Sequence, residues 1–123
     1  MIHMNEEIEF IKKLPLDEQK AYLKAYLKAD QLETQTKVKG DFFEFIKYIW
    51  PAFITGRHHK IISEKFNAIA EGKIKRLIVN MPPRHTKSEF ASNYLPAWMI
   101  GKNPDLKIIQ ATHTAELAIR FGR

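Results

Sequence analysis

The chain has 123 residues, 45 % of them hydrophobic, with no cysteine and a net charge of +6. That is enough for one hydrophobic core, and it excludes wholesale disorder, a disulfide scaffold and thiolate metal sites. The acidic start "MIHMNEEIEFIKK" has no apolar signal core, and no run approaches the roughly 18 apolar residues of a membrane helix, so the expectation is a soluble intracellular protein.

Residues 5–36 are predicted to be helical. Leu16, Leu23 and Leu27, with Tyr22 and Tyr26 beside them, are spaced for one helix face, and Pro15 suits a helix start. "AYLKAYLK" is too brief an echo to be a repeat. "TKVKG", residues 36–40, reads as a linker. In "GDFFEFIKYIWPAF", Asp41 and Glu44 have capping-box spacing. Phe42, Phe45, Ile46 and Ile49 supply an apolar face there, and Pro51 stops the helix. "RHHKIISEKFNAIAEG" is a second amphipathic helix with Ile61, Ile62, Phe66 and Ile69 inward and Gly72 as its C-terminal cap.

The pattern then changes. "KRLIVNM" has the length and β-branched content of a buried strand, and "PPRHT" is a turn. "KSEFASNYLPAWMIG" is a helix with a kink expected at Pro96 and a stop at Gly101. Lys107–Ala111 is a second strand, and "TAELAIRFGR" begins a further helix. This order predicts an α/β fold: N-terminal helices followed by the first βαβα part of a parallel sheet. Two strands leave the faces and edges of such a sheet uncovered, so the sheet is expected to be incomplete and the chain to be the front part of a larger protein. Charge divides in a similar way. Up to Thr36 there are five Lys against seven acids; from Lys37 there are fifteen Lys or Arg against seven acids. The basic part suits a polyanion such as DNA or nucleotide, or is a solvated basic surface.

The stretch "VNMPPRHTKSEF", residues 79–90, carries the chemistry. Phosphate loops usually read G-x-x-x-x-G-K-[ST]: backbone N–H groups and a helix N-terminus wrap the phosphates, the lysine reaches the β- and γ-phosphates, and the hydroxyl holds Mg²⁺. Aligned on Lys87 and Ser88, the two glycine positions hold Met81 and Thr86, and all five glycines lie elsewhere. The context of strand, turn and helix nevertheless matches the pattern. Pro82 and Pro83 restrict the turn but donate no N–H, so a cradle must come from Arg84 to Ser88. On the residues alone, a phosphate loop and an ordinary strand-to-helix turn stand side by side. A β-branched Thr86 tolerates positive φ poorly, so the loop is expected to need none there.

"RLIVNMPPRHTKSEFAS" resembles the ATPase of the large terminase subunit of tailed bacteriophages, whose deviant loop has the form P-P-R-x-x-K-[ST]. "WPAFITGRHHKIISEKFNAIAEGKIKR" before it and "KIIQATHTAELAIRFGR" after it resemble that family's flanks, so the likeness covers roughly residues 40–123. It implies a helical segment and linker at 1–39 and a partial P-loop ATPase domain at 40–123. It also implies ATP and Mg²⁺ as cofactors, with Lys87 on the β- and γ-phosphates and Ser88 on Mg²⁺. Arg84 would contact phosphate or sense the transition state, and the N–H groups of His85, Thr86 and Lys87 would form the cradle. Lys87 and Arg84 are thus the implied catalytic residues. The implied partners are double-stranded DNA, a portal protein and a small terminase subunit, with homo-oligomers of the full-length motor in the cytoplasm of a bacterial host. A separate nuclease domain would cut the DNA.

Other residues have plainer readings beside functional ones. Adjacent His58 and His59 do not share a helix face and lack a third zinc ligand. Arg57 or His58 is either a base or ribose contact, as the resemblance implies, or helix-start packing. Thr112 and Thr114 cap a helix or couple nucleotide to DNA. Arg120 and Arg123 touch DNA or a neighbouring subunit, or lie on a solvated face. Trp50, Phe42, Phe43, Phe45 and Trp98 are expected in the core. No apolar strand ends in Asp-Glu, so hydrolysis is expected of a longer protein and not of these residues alone. The alternatives are a non-enzymatic basic module that binds DNA or protein, and another P-loop motor such as a helicase.

Overall fold

The computed structural model describes residues 2–122. The chain is 67 % helical, and no strand forms among the described residues. The predicted α/β fold, with the first βαβα part of a parallel sheet, is therefore corrected to an all-helical one. Among the described residues there are six α-helices: α1 (Ile2–Lys12), α2 (Leu16–Gly40), α3 (Phe42–Ile49), α4 (Arg57–Ala70), α5 (Leu95–Lys102) and α6 (Ala115–Gly122), with π-helical turns over Glu89–Tyr94. None is long and apolar enough to cross a membrane.

The physical reason for the correction is that a strand is a shared property. A helix satisfies its own N–H and C=O groups, whereas a strand needs a neighbour to bond to. Residues 77–81 keep the alternation of an extended chain: Leu77, Val79 and Met81 pack against the core, while Ile78 is 86 % exposed. Around Lys107–Ala111 the apolar residues face outward, Ile109 being 94 % exposed. Neither run is paired with a strand, so both remain irregular segments between helices.

The chain divides into two compact units, Met1–Thr36 and Lys37–Arg123. In the first, α1 and α2 are joined at Lys13–Pro15. The Gln19 side chain donates to Leu14 O (2.8 Å) and Lys12 O (3.3 Å), covering carbonyls that the end of α1 leaves open. The first turn of α2 follows Pro15, whose carbonyl accepts from Gln19 N–H. The expected apolar face of α2 is not buried: Leu16, Leu23, Tyr26 and Leu27 are all more than half exposed. The predicted linker "TKVKG" is the last turn of this helix.

In the second unit, local signals set the helix ends. Asp41 caps α3, its carboxylate accepting from Phe43 N–H at 2.7 Å. The Asn67 side chain joins it, donating to Asp41 (3.2 Å) and accepting from Phe42 N–H (2.8 Å). Glu44 does not close the expected capping box; it pairs with Lys47. Gly72, at φ +75°, ends α4: Lys73 N–H reaches Ala68 O and Gly72 N–H reaches Ile69 O, the paired bonds of a Schellman turn. Thr114 caps α6 through a 3.3 Å bond from Leu117 N–H.

The core consists of Phe42, Ile46, Ile62, Phe66, Phe90 and Trp98. Phe42 sits at its centre, fully buried, with Phe66, Phe90 and Trp98 edge-on at 5.1, 5.6 and 5.5 Å. Trp98 also donates to Val38 O at 2.9 Å, which satisfies its indole N–H and an end carbonyl of α2. Three expectations for this core shift. Ile49 and Trp50, at the end of α3, are exposed. On α4, Ile61 faces out, and His59 and Ser63 lie buried beside Ile62 and Phe66.

The helix after the loop begins at Lys87 and runs to Lys102, widening into π-turns at Glu89–Tyr94. Leu95 N–H bonds to Phe90 O, five residues back. Pro96 follows and has no N–H to give to Ser92 O. That carbonyl instead accepts from the Gln110 side chain at 2.6 Å. The widened turns accommodate the proline ring, so the expected kink is spread over a π-segment.

Candidate functional site

Of the residues singled out for phosphate binding, Arg84, His85 and Thr86 form a continuous bend, and Lys87 and Ser88 are the first residues of that helix. Arg84, His85 and Ser88 are exposed; Thr86 and Lys87 are half-buried. Arg84 has φ +64° and Thr86 φ +60°. Both are left-handed, which corrects the expectation that Thr86 would avoid positive φ. Such a conformation costs on the order of 1–3 kcal/mol per non-glycine residue, more for a β-branched one. It persists only where the surroundings over-determine it. Left-handed residues at alternating positions are also the backbone pattern that turns N–H groups into an anion-binding concavity. The N–H groups at the start of the following helix have no intrahelical partners.

Lys87 folds back across the bend. Its Nζ donates to Met81 O at 3.4 Å, a long and weak bond. The ammonium is thus placed at the loop entry and can exchange this carbonyl for a stronger acceptor. Glu89, one residue beyond Ser88, accepts from Asn93 at 2.6 Å and lies 3.9 Å from Arg120. Arg120 is therefore partly engaged within the chain. Arg123 lies outside the described residues.

Histidines from α4 close over the bend. Gly56, the residue before α4, donates its N–H to His59 Nδ1 at 2.8 Å, while His59 N–H bonds back to Gly56 O. Because Nδ1 accepts, the ring proton is on Nε2. That group donates to Thr86 Oγ1 at 2.8 Å, and the Thr86 hydroxyl donates to His85 O at 2.6 Å. His85 Nδ1 in turn donates to Pro83 O at 2.9 Å. His59 is buried against Phe53 and Phe90, with ring centres 4.6 and 5.3 Å away. Burial, then the nearby His58 and His85 rings, lower its pKa from the ordinary 6.5. The hydrogen bonds and the electrostatics agree on a neutral imidazole.

The His58 ring lies tilted against His59, with ring centres 3.8 Å apart, and stands 5.7 Å from His85. Its Nε2 is the buried side-chain polar atom without a hydrogen-bond partner among the described residues. The same ring fills the space beside Gly56, where a Cβ would come within 2.6 Å of it. No group of three or more metal-ligating side chains is assembled among the described residues.

Sequence reasoning did not single out the hydrogen bond between His59 and Thr86. His59, 27 positions before Thr86, enters the sequence reading only as the neighbour of His58 without a third zinc ligand, and carries no role toward the loop there. The available signal was its place three residues after Gly56, one turn into a helix whose buried face runs His59, Ile62, Ser63, Phe66. No family model, curated protein or solved structure matches this chain.

Proposed function

We propose that residues 84–88 bind the phosphates of MgATP, and that the chain serves a DNA-packaging motor of the terminase large-subunit type. The observation that carries the phosphate reading is the pair of left-handed residues, Arg84 and Thr86, in a loop without glycine, with Lys87 folded over its entry. In this reading Lys87 binds the β- and γ-phosphates. The N–H groups of His85, Thr86 and Lys87 form the cradle, and Arg84 offsets charge spread over the γ-phosphoryl oxygens. The exposed Ser88 hydroxyl is the group that would hold Mg²⁺, which supplies charge neutralisation between phosphate oxygens when bound.

The motor reading rests on the resemblance of residues 40–123 and on the basic excess after Thr36. Its partners would be double-stranded DNA, a portal protein and a small terminase subunit, acting as an oligomer in the cytoplasm of a bacterial host.

The test is calorimetric titration of MgATP and MgADP into the chain and into Lys87→Ala, with circular dichroism to confirm folding of both. The wild-type chain should bind, and the variant should lose at least about tenfold in affinity, the size of a charge-assisted contact. Unchanged affinity in Lys87→Ala sinks the site. DNA binding that falls steeply with salt yet ignores both nucleotide and Lys87 favours the non-enzymatic basic module.

A further inference from the structure

A phosphate loop ordinarily places glycine where the chain must turn left-handed. Here Thr86 occupies that position at φ +60°, and something outside the loop must hold it. We propose that His59 is a positioning residue that locks Thr86 in its left-handed conformation, so that a His–Thr pair does the work of a glycine. Its consequence for nucleotide rests on the phosphate-binding reading above; the His59–Thr86 coupling itself does not.

The bonds run in one direction. Gly56 N–H donates to His59 Nδ1, Nε2–H donates to Thr86 Oγ1, and the hydroxyl donates to His85 O. Each group thereby has one role, so the Thr86 side chain is held from both sides of its oxygen. The anchor is itself fixed. His59 is 6 % exposed, wedged between the rings of Phe53 and Phe90, and its other nitrogen is held by the backbone. Rotation of Thr86 out of the left-handed region would draw Oγ1 away from a donor that cannot follow. The alternatives are less economical. Ser63, the other buried polar residue on α4, is satisfied by His59 O at 2.7 Å, and Lys87 reaches Met81 O instead.

The test separates the two arms of the imidazole. In His59→Asn, the shorter side chain can still accept from Gly56 N–H but cannot reach Thr86. In His59→Gln, the amide nitrogen stands near the place of Nε2 and keeps the Thr86 arm. His59→Asn should lower the denaturation midpoint and weaken MgADP binding by about three- to tenfold, His59→Gln should restore much of both, and Thr86→Gly should make the Asn substitution nearly silent. Additive effects of His59→Asn and Thr86→Gly on the midpoint overturn the proposal. If His59→Asn does not fold, the loop side decides alone. Thr86→Val keeps the branched strain without the hydroxyl and should be clearly destabilised, whereas Thr86→Gly should be near neutral; equal losses overturn the proposal. A wild-type chain that binds no MgADP refutes the phosphate reading, while the midpoint cycle still decides the coupling.

Discussion

At the scale of the residue, Gly56 and Thr86 illustrate two ways a backbone position becomes demanding. Gly56 has an ordinary extended backbone at φ −104°, so its requirement is space and not torsion. A Cβ there would meet His58 Cε1 at 2.6 Å and Nδ1 at 2.8 Å. Movement of the His58 ring is opposed on one side by His59, whose ring centre lies 3.8 Å away. Gly56→Ala should therefore cost about 1–3 kcal/mol, as overpacking does, measured by urea denaturation. A change within a few tenths of a kcal/mol would show that the His58 ring moves freely. Thr86 is the opposite case. Its requirement is torsion, at φ +60°, and although it stands at the glycine position of the phosphate-loop pattern, the sequence does not show how the torsion is held, because the hydrogen bond to it comes from His59 on α4.

At the scale of the element, α4 links the core to the loop through its N-terminal histidines. Folding favours neutral His59, since protonation would set Nδ1–H against Gly56 N–H. The groups facing it are His58 on the same helix and His85 from the loop, with uncharged Phe53 and Phe90 on its other sides. The sign follows from linkage. The folded pKa lies below the ordinary 6.5, so below about that pH the unfolded chain binds the proton more readily. Stability should be fully present above pH 6.5 and should fall as pH drops through the folded pKa. Denaturation midpoints across pH 8 to 5 check this, and His59→Gln should flatten the slope. A slope unchanged by that substitution would assign the effect to other groups. The helices themselves were legible because their signals are local: Asp41 at a start, Gly72 at an end, Thr114 at a cap. The π-segment was not, since Pro96 announces a disturbance but the form it takes depends on Gln110 reaching Ser92 O.

At the scale of the whole molecule, the Lys37–Arg123 unit depends on few residues. Six buried apolar side chains form its core, and three of their rings meet Phe42. Phe42→Ala should cost about 3–5 kcal/mol, a large share of the ~5–15 kcal/mol that holds a typical domain together. Thermal melts followed by Trp fluorescence would check it, because Trp98 lies against Phe42. A loss under about 1 kcal/mol would mean that the core closes over the gap. By itself, the sequence determined where helices form around Asp41, Gly72 and Thr114 and placed Phe42, Ile46, Ile62, Phe66 and Trp98 in the core, because these depend on neighbours a few residues apart. Only the tertiary structure decided that the two apolar runs remain without strand pairing, that α4 buries His59 and Ser63, and that Thr86 turns left-handed under His59. Each of those depends on groups brought together from distant parts of the chain, and hydrogen-bond partners of that kind leave no periodic trace in a sequence.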